Sequence, residues 1–196
     1  MSDRQMGVAE ERLYVLERQR VVVDEFDASG FVLDLGGGGE GIIGRLKGGQ
    51  VIAIDADRDE LEEAPDGPLK IVMDARDLQF LDGAFQVVTS FFTLMYLDKE
   101  DHRQVFEEAW RVLQPGGRFL IWGMSVPQRR DEEQDVLVLP LLVELPSIEV
   151  ETGYGIVWPE ESFGAHHYVE TARQVGFEVE EKRENGRVFT LSLRRS

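Results

Sequence analysis

Residues 31–41 read FVLDLGGGGEG. Phe31, Val32, Leu33 and Leu35 surround a single acid, Asp34, and the run stops at four consecutive glycines. A short, nearly continuous apolar run bounded by turn residues suits a strand buried on both faces. Glycine lacks a Cβ, so the chain can turn tightly there and bring its backbone close to a ligand. The following residues, Gly41 to Lys47, predict a short helix ended by Gly48-Gly49. Strand, glycine loop and helix N-terminus in succession form a ligand cradle.

Working outward, the same unit recurs. Val51-Ile52-Ala53-Ile54-Asp55 is a second apolar run that ends in an acid, followed by a polar helix over Asp57–Ala64 and the turn Pro65-Asp66-Gly67-Pro68. A third run, Leu69 to Met73, ends at Asp74; a fourth, Phe85 to Thr89, ends at Ser90. Asp98 is the expected N-cap of a helix with Val105, Phe106, Ala109, Val112 and Leu113 at helical spacing. Gln114-Pro115-Gly116-Gly117 stops that helix, and Arg118 to Trp122 is a fifth strand. Strands alternating with helices require crossovers, hence a mostly parallel, doubly wound α/β sheet covered on both faces.

The two ends depart from this rhythm. Residues 164–175 predict a helix, and Asn185-Gly186 between two strand-like runs predicts a hairpin, so the sheet ends in an antiparallel pair. Residues 1–28 form an N-terminal extension, in which Leu13, Leu16 and Val21-Val22-Val23 predict a helix over Glu10–Val23. Residues 124–163 are too many for an ordinary connection. Their Val-, Leu- and Ile-rich middle, broken by Pro140 and Pro146, reads as inserted β-structure acting as lid, arm or dimer contact.

Composition narrows the functional classes. A chain of 196 residues holds one domain with a sizeable core. No apolar run reaches the roughly 18–20 residues of a membrane helix, and the charged N-terminus lacks a signal-peptide core. The absence of cysteine excludes disulfides and thiolate chemistry. These features predict a cytoplasmic protein that does not bind membranes. The net charge of −17, 38 acids against 21 bases, and the lack of any basic run argue against nucleic acid. That acidity serves solubility or attracts a cationic ligand.

In open parallel sheets, ligands bind outside the carboxyl ends of the strands. Asp34, the glycine loop, Asp55, Asp74 and Ser90 all fall there. A carboxylate after the second strand can accept hydrogen bonds from ribose hydroxyls, and one after the third from an exocyclic amine. Gly36-x-Gly38-x-x-Gly41 also matches the dinucleotide fingerprint, with Asp55 at a fitting distance. A nicotinamide-dependent oxidoreductase is therefore one reading of the loop.

The ordered set VLDLGGGGEG, VIAID, MDARDLQF, FQVVTSFFTLMYL and VLQPGGRFLIW resembles the class I S-adenosylmethionine-dependent methyltransferases over Val32–Trp122. The resemblance implies a Rossmann-like, seven-stranded sheet with an antiparallel C-terminal hairpin, and S-adenosylmethionine as cofactor. It implies that Gly36, Gly37 and Gly38, with Asp34 behind them, hold the methionine end. Asp55 and Ala56 would bind the ribose, Asp74 and Ala75 the adenine, and Ser90 and Phe91 would line the methyl-donor position. Glu40 departs from the family's usual third glycine. Its side chain either meets the cofactor's amino group or faces solvent.

A sulfonium methyl is already activated, so the protein mainly has to position a nucleophile and exclude water. If the acceptor must lose a proton, Tyr154, His166, His167 and Tyr168 are the candidate bases. No histidine spacing suggests a metal. After the fourth strand the sequence reads Ser90-Phe91-Phe92-Thr93, not the signature of relatives that methylate the amino groups of nucleic-acid bases. A small-molecule acceptor is the expectation, with a cationic one among the candidates. A methyltransferase-like protein that binds the cofactor without turnover is the alternative.

Overall fold

The structure is a computed structural model and describes residues 10–129 and 133–196. Its centre is β3 (Val32–Leu35), buried at all four positions. On one side it pairs in parallel with β4 (Val51–Asp55), which pairs with β5 (Leu69–Val72). On the other it pairs in parallel with β6 (Phe85–Phe91), which pairs with β7 (Leu113–Met124). β10 (Phe177–Asn185) and β11 (Val188–Arg195) form the C-terminal hairpin, with β11 antiparallel to β7. The seven-stranded order is β10-β11-β7-β6-β3-β4-β5, the mostly parallel sheet expected, reversing direction from β3 so that a crevice opens at the carboxyl ends.

Local chemistry sets the connections. Asp57 caps α2 (Arg58–Glu63), its side chain accepting from the Asp59 N–H at 2.9 Å. α1 spans Ile42–Lys47 and α4 spans Ala165–Val175. The helix expected from Asp98 begins later, as α3 (His102–Val112), with Asp101 at the N-cap position. Asp98 instead closes a turn, its carbonyl accepting from the Asp101 N–H at 2.9 Å. In the hairpin, Asn185 pairs with Val188, which leaves Gly186-Arg187 as the two-residue loop. Gly186 has φ +60°, so the glycine takes the first central position, as in a II′ turn.

The N-terminal segment is not helical. Residues 13–15 form β1 and residues 19–22 form β2, both pairing in parallel with β8 (Val136–Glu144). Val21 and Val23 are buried while Val22 is exposed. That alternation is the two-residue period of a strand carried by β-branched side chains, and a helical reading of the valine cluster misses it. β9 (Glu149–Val157) pairs antiparallel with β8 along its full length. The inserted residues and the N-terminus therefore build one four-stranded sheet.

This second sheet completes the core. One face of the large sheet is covered by α3 and α4 through Val105, Phe106, Ala109, Val112, Tyr168 and Ala172. The opposite face carries α1 and α2, each six residues long. Helices that short cover little apolar surface, and Leu137, Leu139, Leu141 and Val143 of β8 fill the remainder. Among the described residues, no helix is long and apolar enough to cross a membrane.

Candidate functional site

The carboxyl ends of β3, β4, β5 and β6 open into a cavity of about 710 Å³, within the ~300–1,000 Å³ usual for small-molecule sites. The glycine loop forms its floor. Gly36 has φ +71°, and a Cβ there would overlap the Thr93 side chain. The Thr93 hydroxyl donates to the Leu35 carbonyl at 2.9 Å, which ties the end of β6 to the end of β3. A Cβ on Gly38 would lie 2.6 Å from the Glu60 Cβ and 2.9 Å from Asp55 Oδ2. Only glycine lets the loop lie this close to both acids.

Asp55 projects from the end of β4 into the cavity, and its Oδ1 accepts from the Asp57 N–H at 2.9 Å. Burial raises its pKa, while backbone N–H groups, those of Asp57, Gly38 and Ala56, oppose the shift. Asp74 is held by a fork from Arg76, with Nη2 at 2.7 Å from Oδ2 and Nε at 3.0 Å from Oδ1. Hydrogen bonding to Arg76 lowers the Asp74 pKa. Arg76 also donates to Asp101 at 2.6 Å, so the carboxylate stands at the cavity wall in a fixed orientation.

Asp34 sits beneath the loop and not in the cavity. It is 3 % exposed, and its Oδ1 accepts from the Thr89 hydroxyl at 2.7 Å. Burial raises its pKa to about 7, against the opposing bond from Thr89. Gly37 packs over it, a Cβ there falling 2.7 Å from Asp34 Oδ2. Ser90 is fully buried and its hydroxyl has no hydrogen-bond partner among the described residues. Neighbouring residues of a strand point to opposite faces. Val88 packs with the α3 and α4 layer, so Ser90, two residues on, faces that layer too, whereas Phe91 turns to the cavity side.

Gly36, Gly38, Asp55, Ala56, Asp74, Ala75 and Phe91 thus line one cavity, and Gly37, Asp34 and Ser90 support it from below or behind. Of the four candidate bases, Tyr154 alone reaches it. His166 is exposed on α4, with Nδ1 3.5 Å from Glu170. Tyr168 is 2 % exposed, in the core against Phe106. His167 Nε2 lies 2.9 Å from His102 Nδ1, and His102 Nε2 lies 2.7 Å from the Leu94 carbonyl. Because a carbonyl only accepts, His102 donates from Nε2, and its Nδ1 receives the His167 proton. Burial lowers both pKa values, that of His167 to about 4. These side chains pack α3 against α4, away from the cavity.

Sequence reasoning left the insertion open as lid, arm or dimer contact and did not pair it with the glycine loop. β9 passes over the cavity at Gly153-Tyr154-Gly155. The Tyr154 ring stacks on Phe92, with centroids 5.5 Å apart and planes 18° from parallel, and meets Phe91 edge-on at 6.4 Å. Phe92 has φ +54°, the only positive φ outside glycine among the described residues. Glu40 is half-buried and turns to this roof. Its carboxylate accepts from the Thr152 hydroxyl at 2.5 Å and stands near Tyr154. Burial, with Glu40 nearby, pushes the Tyr154 pKa well above its ordinary value, so the phenol stays protonated. Glu60, Tyr96, Met73 and Leu97 complete the wall. The doubled glycines around Glu40 and the Gly-Tyr-Gly in the insertion were the available signals.

Residues 33–121 match the family model described as a methyltransferase domain. Among solved structures, a Pyrococcus horikoshii protein shares the fold at a TM-score of 0.61 and 19 % identity, over 85 % of this chain and 83 % of that one. A Methanosarcina mazei SAM-dependent methyltransferase aligns at 0.61 and 16 % over 87 % and 94 %. A Thermotoga maritima protein described as a possible histamine N-methyltransferase aligns at 0.62 and 16 % over 86 % and 83 %. No curated protein matches the sequence. A segment of the chain thus matches the model of a methyltransferase domain, and the chain shares its fold with S-adenosylmethionine-dependent methyltransferases. The domain and these neighbours imply S-adenosylmethionine as the cofactor.

Proposed function

We propose that this chain is a cytoplasmic enzyme that transfers the methyl group of S-adenosylmethionine to a small-molecule acceptor. The carrying observation is the single cavity in which the glycine loop, Asp55 and Asp74 meet beneath the Tyr154 roof. The residues fit the cofactor. A loop of glycines leaves room where any side chain would strike Thr93 or Glu60. Two carboxylates stand at successive strand ends, each with lone pairs left to accept from ribose hydroxyls and an adenine amine.

The cofactor supplies a methyl group on a sulfonium, whose departure as a neutral thioether needs no metal and no covalent enzyme intermediate. The work left to the chain is positioning and exclusion of water. Asp55 orients the ribose, and Asp74, fixed by Arg76, orients the adenine. Phe91, Phe92 and Tyr154 present an apolar wall beside the methyl-donor position. Tyr154 keeps its proton, so it donates a hydrogen bond and does not act as base. The Tyr154 roof over a cavity of about 710 Å³ supports a small acceptor.

Calorimetry with S-adenosylhomocysteine tests the reading first, because the product binds without turnover. Asp55→Ala is expected to weaken that binding about 10- to 100-fold, the equivalent of losing hydrogen bonds to a charged group. Labelled cofactor with a metabolite extract then tests turnover. Label on any acceptor excludes a protein that only binds the cofactor. A thermal shift with NAD and none with S-adenosylhomocysteine would restore the oxidoreductase reading.

A further inference from the structure

The acceptor side of the cavity has a distinctive chemistry. The Tyr154 ring, stacked on the buried Phe92 behind it, lines the cavity with Phe91 edge-on to it and with Tyr96. In the same cavity, near Tyr154, the Glu40 carboxylate is held by the Thr152 hydroxyl. Glu40 is thus tied to the roof at its junction with the glycine loop, and swinging out to bulk water would break its bond to Thr152.

The charges around the cavity are one-sided. Glu40, Asp55, Glu60 and Glu63 line it, whereas the Arg76 guanidinium is committed to Asp74 and Asp101. Arg45 directs its Nε to the Glu40 backbone carbonyl at 2.6 Å. Burial, with Glu63, Asp55, Asp57 and Glu40 nearby, raises the Glu60 pKa. The cavity wall therefore gains when positive charge enters. A carboxylate near an aromatic ring in one cavity is a combination that holds an organic cation.

We propose that Glu40, Phe92 and Tyr154 form an acceptor subsite for a small molecule carrying a cationic nitrogen group. The inference rests on the transferase reading and narrows its substrate class. A charged nitrogen has no lone pair, so the group that docks here is the anchor, and a neutral heteroatom elsewhere in the acceptor takes the methyl. An anionic acceptor is excluded by the same field.

The test measures choline, its neutral isostere 3,3-dimethylbutanol and the anion 3,3-dimethylbutanoate against protein saturated with S-adenosylhomocysteine. Choline is expected to bind at least about tenfold more tightly than either isostere, and less tightly as salt is raised. Glu40→Gln and Tyr154→Leu should each weaken choline about tenfold, and Tyr154→Phe, which keeps the ring, by less than about threefold. Glu107→Gln, an exposed charge change on α3, should leave choline binding as it is. Circular dichroism and melting curves confirm that each variant is folded. Equal binding of choline and 3,3-dimethylbutanol overturns the proposal. So does choline binding that vanishes once S-adenosylhomocysteine is present, because the carboxylates would then serve the cofactor. So do folded Glu40→Gln and Tyr154→Leu variants with unchanged choline affinity. Failure of S-adenosylhomocysteine itself to bind overturns the transferase reading, and with it this one.

Discussion

Asp34 shows how a single residue can be predicted in place and misjudged in role. Its position two residues before the first glycine marks the loop, but the pleat of β3 turns it beneath Gly37, where Thr89 is its partner and burial raises its pKa to about 7. The unfolded chain has no such burial, so its carboxyl titrates near the ordinary value of 3.8. Between those two values the folded state binds more protons than the unfolded one, and stability falls as pH rises through that window. Asp34→Asn should flatten this part of the profile, measured as urea midpoints from pH 4 to 8 in both proteins. Asp74 behaves oppositely in character: Arg76 lowers its pKa and fixes its orientation. Replacing Arg76 with Gln should therefore weaken S-adenosylhomocysteine about three- to tenfold without touching the ligand's ribose contacts, as read by calorimetry. Glu40 was visible in the sequence only as a departure from a glycine pattern. Its partner Thr152 lies 112 residues away, and no local pattern could have joined them.

At the scale of elements, β8 explains why the N-terminus is extended. Its residues alternate between fully buried Leu139, Leu141 and Val143 and half-buried Val138, Pro140 and Leu142. β1 and β2 lie along one edge and β9 along the other, which satisfies the backbone of an otherwise isolated strand. Leu139→Ala should cost about 2–5 kcal/mol, the range for emptying a packed leucine site, measured by urea denaturation. α3 and α4 are joined by the His102–His167 pair, in which both rings are neutral. Here the folded state binds fewer protons than the unfolded one between about pH 4 and the ordinary histidine value of 6.5. Stability from this pair is present above that window and lost as pH falls through it. His167→Gln should reduce that slope, leaving the part that belongs to buried His102 and the Asp34 slope in place. The helix expected from Asp98 started one turn late because several acids precede it, and Asp101, not Asp98, lies next to the first helical residue.

For the whole molecule, the cavity lies between two sheets whose strands come from both ends of the chain and from its middle. Ligand that fills the cavity should therefore couple them. Hydrogen exchange with S-adenosylhomocysteine is expected to slow at residues 36–41 and 55–60 and also at residues 152–155, while residues 177–195 stay unchanged; protection confined to the large sheet would show that the roof opens independently. The parallel sheet, its hairpin and the acids at successive strand ends were legible from the sequence, because apolar runs, glycine turns and caps act over a few residues. The pairing of β1 and β2 with β8, the closing of the cavity by Tyr154 and the capture of Glu40 by Thr152 were decided only in three dimensions. They depend on contacts between distant segments, and on a face of the large sheet that two short helices could not cover.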